Sequence, residues 1–382
     1  MFRKFFLLLG LFIAIFFIGG AGGVFFERSI VPRLASSQFF SRWAFVKDIS
    51  KNTTIINKTE QVTIREDDSI DQLVSQPATA VVDIIAIQTS KTAKVVTSPE
   101  SKSTTGVLVT NDGLLVTYRD ALYDTEAKYI VLLENGQSYE ARVLGTDPLT
   151  NLSFLKIEGE NLPAIAFANS DDARVGKKLV AIGNSSAEYQ NRFSIGILEN
   201  KDKTFNLAGK TVSSSEKWEG VFSIDLKDPR EYVGGPVVQW NAEMVGILGA
   251  IDLDNGKKYF VIPSNVVREA LDTVLRDGFA SRAMFGAYYI SITRGYALAH
   301  GTARNQGALI YSPSGKTSLA LLSGSPAEKV GLLIGDIVTQ VNGRDITIDY
   351  PLSRAMSELS KGVSVELTIL RGTNEKKITV QL

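Results

Sequence analysis

Covalent and acid–base catalysis near neutral pH draws most often on histidine and cysteine. This chain of 382 residues has one histidine, His300, and no cysteine. The missing cysteines exclude thiol catalysis, disulfides and Cys-ligated zinc together. His300 sits in an Ala-Leu-Ala-His-Gly-Thr context that reads as an exposed loop. A hydroxyl nucleophile would need another base. Serines and lysines are plentiful, Ser194, Ser223, Lys178 and Lys227 among them, but a lysine serves as a base only where burial lowers its pKa toward neutrality. The run Asp252-Leu253-Asp254-Asn255-Gly256 sets two carboxylates before a turn, as calcium loops do. Pro263 then stands where an EF-hand loop needs its bidentate glutamate, so the run reads as a hairpin turn. No metal site and no cofactor is expected.

A second stretch draws notice for its backbone. Tyr232-Val233-Gly234-Gly235-Pro236-Val237-Val238 sets two glycines and a proline ahead of an apolar strand. Val233, at the head of that loop, has neither a lone pair nor a proton to give.

The elements that must position these residues are mostly short strands. From about Ala78 to Leu275, apolar runs alternate with turn residues at intervals of roughly ten, the pattern of an all-β barrel or sandwich. Val107–Thr110 and Leu114–Thr117 flank Asn111-Asp112-Gly113, and Tyr129–Leu133 and Ser138–Val143 flank Asn135-Gly136. Such dipeptides supply the positive φ of tight hairpins. Further strands are expected at Leu152–Ile157, Leu179–Ile182, Val221–Ile224, Val237–Trp240, Met244–Leu248 and Tyr259–Ile262. Val266, Val267, Ala270, Leu271 and Val274 recur at helical spacing, and Asp277-Gly278 ends that helix. Beyond residue 283, Leu352, Ala355, Met356 and Leu359 mark a one-faced helix. Val363, Val365, Leu367 and Ile369 then alternate, turn at Arg371–Asn374, and alternate back through Ile378, Val380 and Leu382.

The N-terminus differs. Phe5 to Phe26 is uncharged, follows Arg3-Lys4, and at 1.5 Å per residue can span a hydrocarbon core of about 30 Å. It reads as a transmembrane anchor over residues 1–27, with a cytoplasmic N-terminus and the rest outside. Residues 28–75 read as a juxtamembrane linker with an aromatic cluster at Phe39, Phe40, Trp43 and Phe45. Lys+Arg and Asp+Glu balance at 41 each, so no global charge draws the chain to nucleic acid.

Taken together, these segments resemble the HtrA-type family of trypsin-like serine proteases that carry PDZ domains. The resemblance rests on Thr105-Gly106-Val107 through Val116-Thr117, Gly145 through Ile157, Val175-Gly176 through Gly183-Asn184, and Val233 through Val238. Gly324 through Leu332 and Gly335 through Gly343 look like a PDZ domain of that family. The resemblance implies a mainly β fold: a chymotrypsin-like double β-barrel over 76–280 and a C-terminal PDZ domain over 283–382. Family members are usually trimers.

The family's histidine, aspartate and serine positions fall on Asp120, Asn151 and Val233. A Ser-His-Asp system needs an imidazole to take and return the serine proton, and the barrel region has none. The oxyanion hole the resemblance implies would use the N–H of Glu231, whose carboxylate opposes a developing anion. These residues point to no catalytic group and to a pseudoprotease that is not an enzyme: an envelope scaffold held by one N-terminal helix. It would bind protein C-termini or unfolded peptides as an added strand, through Ala287, Tyr288, Tyr289 and Ile290 and a helix wall of Leu352, Ala355 and Met356. Tyr289 replaces the usual glycine there, and its side chain can fill the site. The alternative is a serine endopeptidase of the HtrA type with a non-standard catalytic arrangement. A homotrimer, or a hetero-oligomer with an active relative, suits either reading.

Overall fold

Strands whose inward residues are apolar close here into two barrels, and a third sheet stays open. The computed structural model describes Gly19 and residues 66–88, 101–119, 122–123, 127–185, 190–209, 212–254, 256–279, 282–314 and 319–382. The anchor expected over 5–26, Gly19 apart, and the aromatic cluster at 39–45 lie outside the described residues. Among the described residues no helix is long and apolar enough to cross a membrane.

A helix, α1 (Glu66–Thr79), leads into the first barrel. That barrel comprises β1 (Val81–Gln88), β2 (Ser101–Leu108), β3 (Leu114–Tyr118), β4 (Ala127–Leu133), β5 (Ser138–Thr146) and β6 (Leu152–Ile157), and closes in the order β1-β2-β3-β6-β5-β4. The second takes β7 (Lys178–Ser185) and β8 (Gln190–Asn206), lets β9 (Ser213–Ser214) leave for the third sheet, and continues with β10 (Glu219–Asp225), β11 (Pro236–Val238), β12 (Met244–Leu253) and β13 (Gly256–Pro263). Both are six-stranded antiparallel barrels of the chymotrypsin-like kind. Ile84, Leu108, Leu115, Phe154 and Leu155 fill the first; Leu179, Leu198, Val237, Leu248 and Val261 belong to a cluster in the second. Helix α2 (Ser264–Asp277) returns to the first barrel's core and buries Val266, Val267, Ala270, Leu271 and Val274 there. It stops where Gly278 turns left-handed and donates its N–H to the Val274 carbonyl at 3.0 Å, a glycine C-cap.

The C-terminal unit has helices α3 (Arg294–His300), α4 (Pro326–Lys329) and α5 (Leu352–Ser357) around an antiparallel sheet. Its strands are β14 (Tyr288–Ser291), β15 (Ala308–Ile310), β16 (Ile337–Val341), β17 (Arg344–Asp345), β18 (Ser364–Arg371) and β19 (Asn374–Gln381). The main path runs β19-β18-β16-β15-β14-β9, with β17 paired to β16. The outermost strand, β9, thus comes from the second barrel's chain. It lies antiparallel to β14, with Ser214 opposite Tyr288 and Ser213 opposite Tyr289.

Two buried polar links reinforce that join. The Arg282 guanidinium reaches Asp147 at 3.1 Å, and Asp147 is wholly buried, also accepting from the Thr150 hydroxyl and the Leu149 N–H. The Tyr289 hydroxyl donates to Glu219 Oε2 at 2.8 Å and accepts from the Ser353 N–H at 3.0 Å. Burial pushes the Glu219 carboxyl up from the ordinary 4.5 to about 7, offset in part by the hydroxyls of Ser291, Tyr289 and Ser213.

Both links yield measurable expectations. Removing one member of a buried ion pair leaves the other uncompensated, at a cost of about 3–5 kcal/mol. Arg282→Met should therefore lower the urea midpoint at an unchanged m-value; a shift equivalent to less than about 1 kcal/mol would show that Thr150 and Leu149 hold Asp147 unaided. For Glu219, the folded chain keeps a proton that the unfolded chain releases near pH 4.5. Its contribution is full below that pH and is lost as pH rises toward 7, a change on the order of 3 kcal/mol. Thermal melts across that window should show Glu219→Gln flattening the decline.

Candidate functional site

Two places could act on a peptide: the cleft between the barrels and the edge of the C-terminal sheet. The cleft is built on the Gly234-Gly235 loop. Gly234 adopts φ +87°, and a Cβ there would run into the Thr105 carbonyl oxygen and the Thr117 hydroxyl. Only glycine permits so close an approach of β11's lead-in to the first barrel. The Thr117 hydroxyl donates to that same Thr105 carbonyl at 2.7 Å, and the Thr105 hydroxyl accepts from the Asn184 N–H at 2.9 Å.

Val233 follows a 3₁₀ turn over Pro229–Tyr232, half-buried against the cores of both barrels. The Glu231 N–H donates to Asp228 O at 3.1 Å inside that turn, and its carboxylate pairs with Arg192 at 3.0 Å and Arg230 at 3.5 Å. The expected opposition of a bare carboxylate to an anion is thus softened by two guanidinium groups. Asp120 lies outside the described residues. Asn151, held at φ +61°, donates to the Tyr118 hydroxyl at 3.3 Å and accepts from Lys217 Nζ at 3.0 Å. Lys217 also donates to Pro148 O at 2.6 Å. Desolvation holds its amine below the ordinary lysine value, with nearby Arg119 adding to this and Asp147 opposing it.

Of the other expected groups, the Ser194 hydroxyl donates to the Lys227 carbonyl oxygen at 3.5 Å. His300 is exposed at the end of α3, not in a loop. It stacks on Tyr296 at 4.1 Å between ring centroids, and its Nδ1 lies 3.1 Å from the Tyr296 carbonyl oxygen.

At the sheet edge, the structure distributes the expected peptide-contacting residues unevenly. Ala287, Tyr289, Leu352, Ala355 and Met356 are packed inside the core, while Tyr288 and Ile290 are half-buried on β14. The backbone donors that converge are those of Phe285, Gly286 and Ala287, a group that begins two residues before the expected loop at 287–290 and shares Ala287 with it. Phe285 and Gly286 donate to Glu216 Oε1 at 3.0 and 2.7 Å, and Ala287 to the Ser215 hydroxyl at 2.9 Å. Gly286 has φ +82°, and a Cβ on it would strike Ser325. Sequence reading missed Ser215, Glu216 and Lys217, whose partners stand some seventy residues away along the chain; no local pattern announces such contacts.

A family model described as a trypsin-like peptidase domain matches residues 104–247, and a PDZ domain model matches residues 307–382. A probable periplasmic serine endoprotease DegP-like of Rhizobium meliloti (strain 1021) is 28% identical over 281 residues, 72% of this chain and 52% of the relative. The protein of the same name from Chlamydia trachomatis serovar D is 30% identical over 270 residues, 70% of this chain and 51% of the relative. The chain spans about half the length of the curated relatives it matches. Among solved structures, the HtrA-type protease AlgW with tripeptide has a TM-score of 0.63 at 24% identity, covering 81% of this chain and 95% of that one. The serine endoprotease from Yersinia pestis has a TM-score of 0.51 at 22% identity, covering 81% and 96%; at such identities the likeness speaks for the fold. These names correct one expectation. The reading of the chain as not an enzyme conflicts with relatives named serine endoproteases and does not stand. What the matches along both parts establish is that the chain belongs to the HtrA-type family, a trypsin-like peptidase domain followed by a PDZ domain.

Proposed function

We propose that this chain is a peptide-handling HtrA-type protein of the bacterial envelope, working outside the cytoplasm and held by an N-terminal anchor over 5–26. Its PDZ domain takes the free C-terminal end of a protein, or an unfolded segment, as an added strand on β14. The observation that carries this reading is the convergence of the Phe285, Gly286 and Ala287 N–H groups on oxygen acceptors at the end of that strand. Convergent backbone donors are how such domains hold a terminal carboxylate. Support comes also from the HtrA-type protease AlgW, solved with a decapeptide and with a tripeptide, and from the relatives' periplasmic names.

The second reading is a serine endopeptidase with a non-standard catalytic arrangement, and the relatives' names favour it. One group in the cleft suits it: Lys217, whose amine is desolvated and bonded to Asn151, where the family's aspartate falls. A buried lysine of lowered pKa can act as a general base.

Purified full-length chain tests both. For peptide capture, fluorescence anisotropy should show a labelled peptide with a free C-terminal carboxylate binding at least about tenfold tighter than its amide, a difference of about 1.4 kcal/mol. Equal binding would remove the carboxylate site. For hydrolysis, a fluorophosphonate probe should label a single serine, and Lys217→Met should slow cleavage of unfolded casein by about 10²-fold or more. Cleavage unchanged in that variant would exclude Lys217 as the base.

A further inference from the structure

The donors that would receive a ligand's carboxylate are already engaged, and the acceptors belong to this same chain. We infer that Ser213–Glu216 is an internal ligand of the PDZ groove, which a partner's C-terminus must displace. The inference rests on the peptide-capture reading of that groove.

Three features distinguish this segment from ordinary domain packing. It adds to the free edge of β14 as an antiparallel strand, the way an extended peptide would. Its direction brings the chain toward the Phe285–Ala287 loop, so that Glu216 arrives where a ligand would end. There the Glu216 side chain supplies the carboxylate, accepting from both Phe285 and Gly286. One residue earlier, Ser215 makes two backbone-edge contacts: its N–H donates to Ala287 O at 3.0 Å and its hydroxyl accepts from the Ala287 N–H. A mid-chain glutamate thus takes the place of a chain terminus.

The same geometry specifies the competitor. Ala287, Tyr289, Leu352 and Met356 are almost fully enclosed, and the Tyr289 ring runs between β14 and α5 to reach Glu219. The Tyr289 side chain thereby occupies space that a large last side chain would need. The ligand admitted would end on a small residue with a free carboxylate, as Ser215 followed by the Glu216 carboxylate does here. Displacement is feasible because β9 contributes only two paired residues, and short strand pairings hold weakly.

Full-length chain and two variants test this. In hydrogen exchange followed by mass spectrometry, Glu216→Ala should speed exchange at 285–287 by about tenfold or more over the parent chain. A fluorescein-labelled Thr-Val-Ser-Ser-Ser peptide with a free carboxylate, copying residues 211–215, should bind Glu216→Ala at least about tenfold tighter. Equal exchange and equal affinity in the two proteins would overturn the inference. Faster exchange with no peptide bound by either would sustain the internal ligand and sink the peptide-capture reading instead. Should Glu216→Ala fail to fold, a Ser214→Cys, Tyr288→Cys chain gives an independent answer, since the natural sequence has no cysteine and facing strand positions lie within disulfide reach. Its oxidised form should lose peptide binding and regain it on reduction. Identical binding in both forms would likewise overturn the proposal.

Discussion

A strand at the edge of a sheet exposes a row of unpaired amide donors and carbonyl acceptors, and something must pair with them. Both barrels escape this demand by closing. The C-terminal sheet cannot close, and β14 meets the demand by taking β9 from the second barrel. Much of the join between the two parts follows from that pairing. It brings Glu216 to the Phe285–Gly286 amides, and it sets Tyr289 against Glu219. A buried carboxyl so placed favours its neutral form because the surroundings lack the polarisability to solvate a charge.

Local order was largely legible. Asn-Gly and Asp-Gly pairs mark hairpins because they concern the geometry of two residues, and β3, β6 and the α2 core face fell where the pattern set them. The C-terminal hairpin was equally plain, since Val365, Leu367 and Ile369 face one core. Strand β1 was not: Val-Val-Asp-Ile-Ile-Ala-Ile is nearly continuous in apolar character and carries no clear period. Strand β8 hides for the opposite reason. Its Phe193, Ile195 and Ile197 alternate but lie at the surface, so the alternation does not mark a buried face.

The candidate site was legible in outline only. The Gly234-Gly235 loop could be located through the Gly-Gly-Pro pattern it shares with trypsin-like proteases, and the close backbone approach there explains why glycine stands at 234, whatever the chemistry beside it. The convergence of the Phe285, Gly286 and Ala287 amides was not legible, because side-chain pattern does not reveal which backbone donors meet. Lys217 could not be found at all: its desolvation depends on a loop from the other barrel. In the cleft, family membership and side-chain identity carry different information. The first fixes a frame shared with endoproteases; the second decides which atoms inside it could move a proton. Only Val233, Asn151 and their neighbours speak to that.

Residues 216 to 218 have a further consequence. Glu216 is fastened to the PDZ amides, while the next residue, Lys217, is fastened to Pro148 and Asn151, and the Trp218 N–H to Leu149 O at 2.9 Å. Adjacent α-carbons are only 3.8 Å apart across a trans peptide, so there is no slack between the two moorings. The stretch behaves as a short lever with one arm on each domain: a tug at either end is delivered to the other within a single peptide unit.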